Sequence, residues 1–203
     1  LDETTRIDPI NPYGRTKVVV EELLKDLFLT PNQNWKIINL RYFNPIGAHS
    51  SGLIGEDPKS VSTNIFPLIT GVSSGKIQEL KVFGNDWETR DGTCIRDYIH
   101  VMDLAEGHLS ALENLQKNKK SFLNINLGTG KGVTVLELIA TFENVNKTKV
   151  PFKFEGRRSG DKVMSVANNS LAIELLNWKT KRSLEEMCRD GWKWQSLNPN
   201  GYE

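Results

Sequence analysis

The sequence has few of the residues that stabilise small secreted domains or bind structural metals. Its 203 residues include only two cysteines, Cys94 and Cys188, and three histidines. Two cysteines so far apart make neither a disulfide framework nor a zinc-finger pattern, and the histidines show no metal-ligand spacing. We therefore expect no metal site, and this low cysteine content suits the reducing environment of the cytoplasm.

The sequence also has no large excess of either charge and no long apolar run. There are 26 Lys and Arg residues against 25 Asp and Glu, so the net charge is +1. A chain with this balance has no overall field that favours nucleic acid or an anionic membrane surface. A transmembrane helix needs about 20 consecutive apolar residues, and no segment approaches that length. We therefore expect neither a nucleic-acid partner nor a membrane partner.

The most informative segment that is present lies near residue 1, where Tyr13 and Lys17 are four residues apart. Residues at this spacing share one face of a helix. A lysine ammonium beside a phenol stabilises the phenolate form, so the tyrosine can take a proton from a hydroxyl group. On its own this pattern also fits an ordinary solvated helix surface, so its interpretation depends on the rest of the chain.

Further motifs follow this pair in a fixed order. They are Asn11-Pro12-Tyr13-Gly14, Leu40 to His49, Gly55-Glu56-Asp57-Pro58, Phe83 to Asp86, Asp91 to Leu104, Asn126 to Gly130, Arg157 to Asp161 and Trp192 to Gln195. From about residue 10 onwards the series resembles the UDP-glucose 4-epimerases, a family of extended short-chain dehydrogenases/reductases. The resemblance implies interconversion of UDP-galactose and UDP-glucose by transient oxidation at sugar C4, with NAD as the cofactor and a UDP-hexose as the substrate.

The resemblance also implies which residues form the site. Tyr13 would be the catalytic acid/base, Lys17 would bind the nicotinamide ribose, and Tyr42 would border the nicotinamide. The substrate-binding residues would be Asn44, Asn64, Phe83, Arg96, Tyr98, Val135, Arg158, Asp161 and Ser165.

In that set, Arg96 and Arg158 would bind the diphosphate, and Asp161 would contact the uridine ribose. Arg157 competes with Arg158 for its role, and these arginines could also form surface salt bridges. Ser165 stands where the family usually has a Tyr or a Cys. A small residue there leaves room for a 2-acetamido group, so we expect UDP-N-acetylhexosamines as additional substrates.

The family begins with a strand, a Gly-rich turn and a helix N-terminus that binds the NAD pyrophosphate. No such Gly-rich sequence occurs near residue 1. We therefore expect an α/β fold that comprises the C-terminal part of a Rossmann-type NAD domain plus a smaller α/β substrate-binding domain. Residues 1–45 would be the remnant of the NAD domain. Residues 46–203 would mainly form the UDP-sugar-binding domain, with about 98–118 packing back on the NAD domain.

Two alternatives to an active epimerase stay open. The chain could be a catalytically incomplete fragment that at most binds UDP-sugar, or another nucleotide-sugar dehydratase or decarboxylase of the same superfamily.

A strand at 36–43 without its neighbours would expose an apolar face and an unpaired edge, so we expect poor solubility unless a partner covers it.

The family is typically homodimeric through a helix bundle that includes the Tyr-x-x-x-Lys helix. The resemblance therefore implies a homodimer when the protein is full length, with residues 14–29 at the interface. The same apolar stripe could instead be core.

Local patterns predict further helix starts and turns. Thr134 with Glu137, and Ser183 with Glu186, have the spacing of a capping box at a helix N-terminus. The segment from Gly128 to Gly132 lacks the spacing of a Walker phosphate loop. We interpret it as a tight turn between a strand and a helix.

Overall fold

The computed structural model describes residues 1–58, 62–117 and 121–202. Helices and strands alternate along these ranges. The helices are α1 (Pro12–Leu29), α2 (Ile65–Ser73), α3 (Val101–Lys117), α4 (Val135–Asn146), α5 (Ser170–Leu176) and α6 (Leu184–Leu197). The strands are β1 (Lys36–Tyr42), β2 (Asn44–Ile46), β3 (Leu80–Phe83), β4 (Ile95–Arg96), β5 (Tyr98–His100), β6 (Ser121–Leu127), β7 (Val133–Thr134), β8 (Phe152–Glu155) and β9 (Met164–Ser165). The α/β class predicted from the sequence is confirmed.

Helix α1 carries the Tyr-x-x-x-Lys pattern and begins at Pro12. The side chain of Asn11 accepts a hydrogen bond of 2.8 Å from the backbone N–H of Gly14, and Pro12 occupies the first turn. One face of the helix lies on the β1–β6 pair, where the rings of Phe28 and Phe122 are 5.6 Å apart. No residue of α1 is buried, so its apolar stripe does not form a core within this chain.

The strands pair mainly in parallel. Strand β1 pairs with β6 from Lys36 opposite Ser121 to Tyr42 opposite Leu127, and β2 pairs with β5. Within the described residues, the other edge of β1 has no strand partner. Because open α/β sheets bind ligands beyond the carboxyl ends of their strands, this pairing places Tyr42 where a ligand is expected.

The remaining strands form two further sheets. Strand β3 pairs in parallel with β8, so that Phe83 lies opposite Glu155. In the other sheet, β4 lies between β7 and β9, antiparallel to the former and parallel to the latter. The β4–β9 pairing sets Arg96 opposite Ser165.

Two apolar clusters form the core. One lies between α2, β3, α4 and α6, where the ring of Phe142 meets Phe66 and Trp192 edge-on at centroid distances of 6.0 and 5.8 Å. The other packs α3 and α5 on β6 through residues such as Ile125 and Leu127, which are both fully buried. Burying one such side chain contributes about 1.5–3 kcal/mol, so each cluster stabilises its own set of elements.

Both predicted capping boxes are confirmed. In α4, Thr134 and Glu137 bond each other's backbone N–H groups, and Ser183 and Glu186 do the same in α6. Helix α3 contacts both β1 and β6. Residue 118, the last of the segment predicted to pack on the NAD domain, lies outside the described residues. The two-domain division with a boundary near residue 45 stays a prediction.

Candidate active site

Eight of the residues predicted to bind substrate line one cavity beside α2, β3 and β4. They are Asn44, Asn64, Phe83, Arg96, Tyr98, Val135, Arg158 and Asp161. Each lies at the beginning or end of a helix or strand or in an adjoining loop, so distant parts of the chain meet at one place. We call this space the arginine cavity, because two arginines dominate its charge.

Three of the four charged side chains that line the arginine cavity are connected to one another, and the fourth is Lys81. Asp161 accepts hydrogen bonds of 3.1 and 3.3 Å from Arg158 Nε and Nη2, and Arg96 Nη2 lies 3.7 Å from the same carboxylate. Arg96 also donates to the backbone oxygens of Ile95 and Lys162 at 2.9 and 2.8 Å. Two guanidinium groups therefore face a single carboxylate, and the excess positive charge suits an anionic ligand.

The two candidate arginines of the Arg157–Arg158 pair point to different partners. Arg158 lines the cavity, with its guanidinium 4.6 Å from the centre of the Phe83 ring. Arg157 instead donates to Asp86 and stacks on the Trp87 ring at 4.0 Å. Arg158 is therefore the member of the pair that is available to a ligand in the cavity.

Two wall residues of the arginine cavity carry titratable groups. Tyr98 and Cys94 are only 3% and 5% exposed, and burial raises the pKa of each side chain. Both groups are therefore neutral at pH 7 and act as wall residues rather than as acids or bases. Cys94 also lines the cavity, although the sequence analysis did not assign it to the site.

Tyr13 and Lys17 lie on a second, open depression beside β1, lined also by Tyr42 and His108. We call it the tyrosine groove. Lys17 Nζ lies 5.0 Å from the centre of the Tyr13 ring, as the four-residue spacing predicts. Tyr13 is 72% exposed and Tyr42 is 54% exposed, so both rings are accessible to a ligand or to another protein segment.

An ion pair links the helix that carries Tyr13 to β1. Arg41 donates two hydrogen bonds of 2.8 and 2.5 Å to the carboxylate of Glu21. This hydrogen bonding raises the pKa of Arg41 above its usual value, so the guanidinium stays charged. The paired geometry holds α1 at a set position on the strand and so positions Tyr13 and Lys17 near the strand's carboxyl end.

A middle groove joins the arginine cavity to the tyrosine groove. It shares Lys17 and Tyr42 with the tyrosine groove and Asn44 with the arginine cavity. Ser165 lines this middle groove rather than the arginine cavity. The predicted site residues therefore line three neighbouring depressions, with the arginines in the first and Tyr13 in the last.

Asp97 is a buried residue that the sequence analysis did not single out. It lies between Arg96 and Tyr98, is fully buried, and accepts four hydrogen bonds. The donors are the N–H and hydroxyl of Thr129 at 2.9 and 2.5 Å, and the N–H groups of Gly130 and Ala167 at 3.0 and 3.1 Å. Asp97 thus ties the Gly-rich turn after β6 to the strand that carries Arg96, which agrees with the prediction of a tight turn there.

His100 also has a structural environment. It is fully buried, its Nδ1 accepts a hydrogen bond of 3.0 Å from the N–H of Met102, and its Nε2 lies 3.4 Å from Asp190 Oδ2. Burial lowers the pKa of His100 below its usual value, although the hydrogen bond to Asp190 opposes the shift. The ring is therefore neutral near pH 7 and links β5 to α6.

Within the described ranges, no group of three or more His, Cys, Asp or Glu side chains has a geometry that could hold a metal ion. In the same ranges, every helix is too short or too polar to cross a membrane. Both cysteines are free and buried.

Parallel strands joined by helices, with predicted site residues at their carboxyl ends, define the class as a Rossmann-type α/β protein. A family model described as GDP-mannose 4,6 dehydratase matches residues 1–191, and the chain belongs to this family.

Curated relatives match over the whole chain. The UDP-glucose 4-epimerase of Bacillus subtilis (strain 168) is 51% identical over 203 residues, which are 100% of this chain and 59% of that protein. The UDP-glucose 4-epimerase of Dictyostelium discoideum is 48% identical over 202 residues, 100% of this chain and 58% of that protein. The chain therefore spans less than two thirds of the length of these relatives.

Solved structures have the same fold. The UDP-glucose-4-epimerase of Stenotrophomonas maltophila, with bound NAD and formylated UDP-arabinopyranose, superposes with a TM-score of 0.94 at 48% identity, over 98% of this chain and 59% of that one. The Bifidobacterium longum enzyme in complex with NAD+ and UDP gives 0.93 at 41% identity, with the same coverage of both chains. This likeness confirms the predicted resemblance to the epimerases.

Proposed function

We propose that this chain carries the substrate site and the catalytic Tyr–Lys pair of a UDP-glucose 4-epimerase that interconverts UDP-galactose and UDP-glucose. The observation that carries the proposal is the arginine cavity, in which eight residues chosen from the sequence meet. The identity of about half of all residues to curated epimerases supports the same activity.

The arginine cavity fits the UDP part of the substrate. Arg96 and Arg158 would bind the diphosphate, because guanidinium groups match phosphate oxygens in charge and geometry. Asp161 would accept a hydrogen bond from the ribose, and Phe83 offers an aromatic surface near the base. The hexose would then extend through the middle groove, past Asn44 and towards Tyr13.

The tyrosine groove supplies the acid/base chemistry. Tyr13 would take the proton from the sugar 4-hydroxyl and return it after the configuration at C4 has changed. Lys17, with its ammonium 5.0 Å from the ring centre, would stabilise the phenolate and bind the nicotinamide ribose. NAD would supply a reversible acceptor of the C4 hydride.

The residues present fit only one end of that cofactor. The exposed rings of Tyr13 and Tyr42, together with Lys17 of α1, offer an open surface of the right chemistry for the nicotinamide riboside. The Gly-rich turn with which the family binds the pyrophosphate does not occur in the sequence ahead of Tyr13. We infer that a further polypeptide segment completes the NAD site, and that the chain alone binds UDP-sugar without efficient turnover.

The rival activities in the same superfamily receive less support. Dehydratases and decarboxylases need an additional acid or base beside the tyrosine, whereas its neighbours here are Pro12 and Gly14. We also propose that the complete protein works in the cytoplasm as a homodimer, without nucleic acid or membrane as partner. The exposed Val19, Val20 and Leu23 of α1 offer an apolar surface for such a contact.

The middle groove extends the substrate range. Asn44, Lys17 and the small Ser165 all line this groove, and a side chain as small as serine would leave room for a substituent on the sugar. We propose that UDP-N-acetylhexosamines are substrates as well as UDP-hexoses.

A chimera tests the activity. It joins the part of the Bacillus subtilis relative that this chain does not cover to the present 203 residues. With NAD, the chimera should convert UDP-galactose to UDP-glucose, and Tyr13→Phe should lower kcat by about 100-fold or more because the proton acceptor is lost. A folded chimera that has no epimerase activity, or whose Tyr13→Phe variant is fully active, would contradict the proposal.

A further inference from the structure

The side chains of the consecutive residues Arg157 and Arg158 lie on opposite sides of the loop that follows β8. In extended backbone, neighbouring side chains point in opposite directions. Arg158 lies in the arginine cavity, whereas Arg157 reaches across to the loop that follows β3. Because β3 and β8 pair in parallel, the two loops leave their sheet side by side.

Arg157 connects these two loops through several contacts. Its Nε donates to Asp86 Oδ1 at 2.8 Å, and its Nη2 donates to the Asp86 backbone oxygen at 2.6 Å. Its guanidinium stacks on the Trp87 ring at 4.0 Å. The side-chain hydrogen bond also lowers the pKa of Asp86 below its usual value, so the carboxylate stays charged.

Gly84 leaves room for this stack. Its φ is +80°, and a Cβ at this position would lie 2.3 Å from Trp87 Nε1 and 3.1 Å from Arg157 Cγ. Its N–H donates to the Glu155 oxygen at 2.9 Å, which continues the β3–β8 ladder by one step. The backbone and the Arg157 side chain thus join the two loops immediately beyond the sheet.

Arg158 has contacts of a different kind. It bonds Asp161, which lies three residues further along the same loop, and it lies over Phe83. Its side chain is 49% exposed. Arg96, on β4, lies near the same Asp161 carboxylate, so the position of Arg158 relative to Arg96 depends on where the loop after β8 is held.

We propose that Arg157 is a positioning residue that fixes this loop so that Arg158 can bind the diphosphate of a UDP-sugar. The inference rests on the proposed function, since it concerns the same cavity. Arg157 and Asp86 are 43% and 66% exposed, and an ion pair between exposed side chains contributes little to global stability. Loss of Arg157 should therefore weaken ligand binding without unfolding the chain.

Calorimetric titration of the 203-residue chain with UDP tests this role. Arg158→Ala should weaken UDP binding by about 10-fold or more, because a charge-assisted contact to phosphate is lost. Arg157→Ala should weaken it by about fivefold. The double variant should bind no worse than Arg158→Ala alone, because residues that act through one another are non-additive.

Three further variants separate positioning from charge and folding. Arg157→Lys keeps the positive charge but cannot make both hydrogen bonds to Asp86, so it should restore affinity only in part. Asp86→Ala removes the same link from the other loop and should weaken UDP binding as Arg157→Ala does. Lys153→Ala removes exposed ion pairs with Glu79, the residue just before β3, and with Glu155. It is the matched control and should leave UDP affinity unchanged.

The outcomes distinguish the two levels of the proposal. Unchanged affinity in Arg157→Ala, full rescue by Arg157→Lys, or additive losses in the double variant would overturn the positioning role and leave the UDP site intact. A wild-type chain that binds no UDP would overturn the proposed function, and the positioning role with it. Thermal unfolding midpoints of the variants should stay within about 2 °C of the wild type. If Arg157→Ala melts lower than this, the UDP affinity of Asp86→Ala tests the positioning role instead. Weaker binding by Asp86→Ala supports the role, and unchanged binding overturns it.

Discussion

Replacing Asp97 by asparagine should destabilise the chain strongly, although the two side chains have nearly the same shape. The carboxylate of Asp97 is fully buried, and each of its oxygens accepts two hydrogen bonds. An asparagine side chain keeps one acceptor oxygen and replaces the other with an NH2 group, which only donates. Depending on the orientation of the amide, that NH2 group would face either the N–H of Thr129 or the N–H groups of Gly130 and Ala167, so donor would meet donor.

The size of the effect follows from these contacts. A buried N–H without an acceptor costs about 1–3 kcal/mol, and the bonds that remain lose the strength that the charge provides. Asparagine also removes the cost of burying a charge, which offsets part of this loss. We expect the free energy of unfolding to fall by about 2–4 kcal/mol, which corresponds to a lower unfolding midpoint by about 10 °C in a chain of this length.

Urea unfolding followed by tryptophan fluorescence and circular dichroism measures this change, since the chain has five tryptophans. Asp26→Asn is the matched control, because it makes the same chemical change at an exposed position of α1. The control should stay within about 0.5 kcal/mol of the wild type. A loss of less than about 1 kcal/mol in Asp97→Asn would refute the reasoning, because four buried hydrogen bonds to a carboxylate would then have little net value.

Two other predictions follow from the site and its surroundings. Because burial lowers the pKa of His100 below its usual value of 6.5, the unfolded chain binds a proton more readily than the folded chain, and stability should fall as the pH drops below about 6.5. Urea titrations at about pH 7.5 and about pH 5.5 measure the loss of unfolding free energy between these pH values, and His100→Asn should make this loss smaller. An equal loss in the wild type and the variant would show that His100 does not cause it. In the chimera with NAD, Ser165→Tyr should suppress turnover of UDP-N-acetylgalactosamine by about tenfold or more while UDP-galactose turnover persists. Equal losses for both sugars would show that Ser165 does not set the size limit.

The sequence predicted the parts of this molecule that depend on local spacing. The capping boxes at Thr134 and Ser183 depend on residues three apart, and the Tyr13–Lys17 contact depends on residues four apart, so helical geometry alone determines them. Arg96, Arg158 and Asp161 were expected in the site because the resemblance to the epimerases implies them, without any knowledge of the contacts between them, and all three line the arginine cavity.

Other features depend on pairings between distant segments, which local patterns do not encode. The β4–β9 pairing that sets Ser165 opposite Arg96 is an example, since the two strands have only two residues each. The four donors to Asp97 come from two other segments of the chain, so its role appears only in the folded structure. The direction of Arg157 is a third case, because two adjacent arginines look equivalent in a sequence.

The binding of UDP, compared with that of uridine, tests the central claim most directly, namely that the arginine cavity holds a nucleoside diphosphate. Calorimetric titration of the 203-residue chain should give an affinity for UDP at least about 10-fold higher than for uridine, because in the proposed site Arg96 and Arg158 would bind the phosphates and not the nucleoside. Arg96→Ala should remove most of that difference while uridine binding changes little. Equal affinities for UDP and uridine, or a difference that Arg96→Ala leaves unchanged, would contradict the claim.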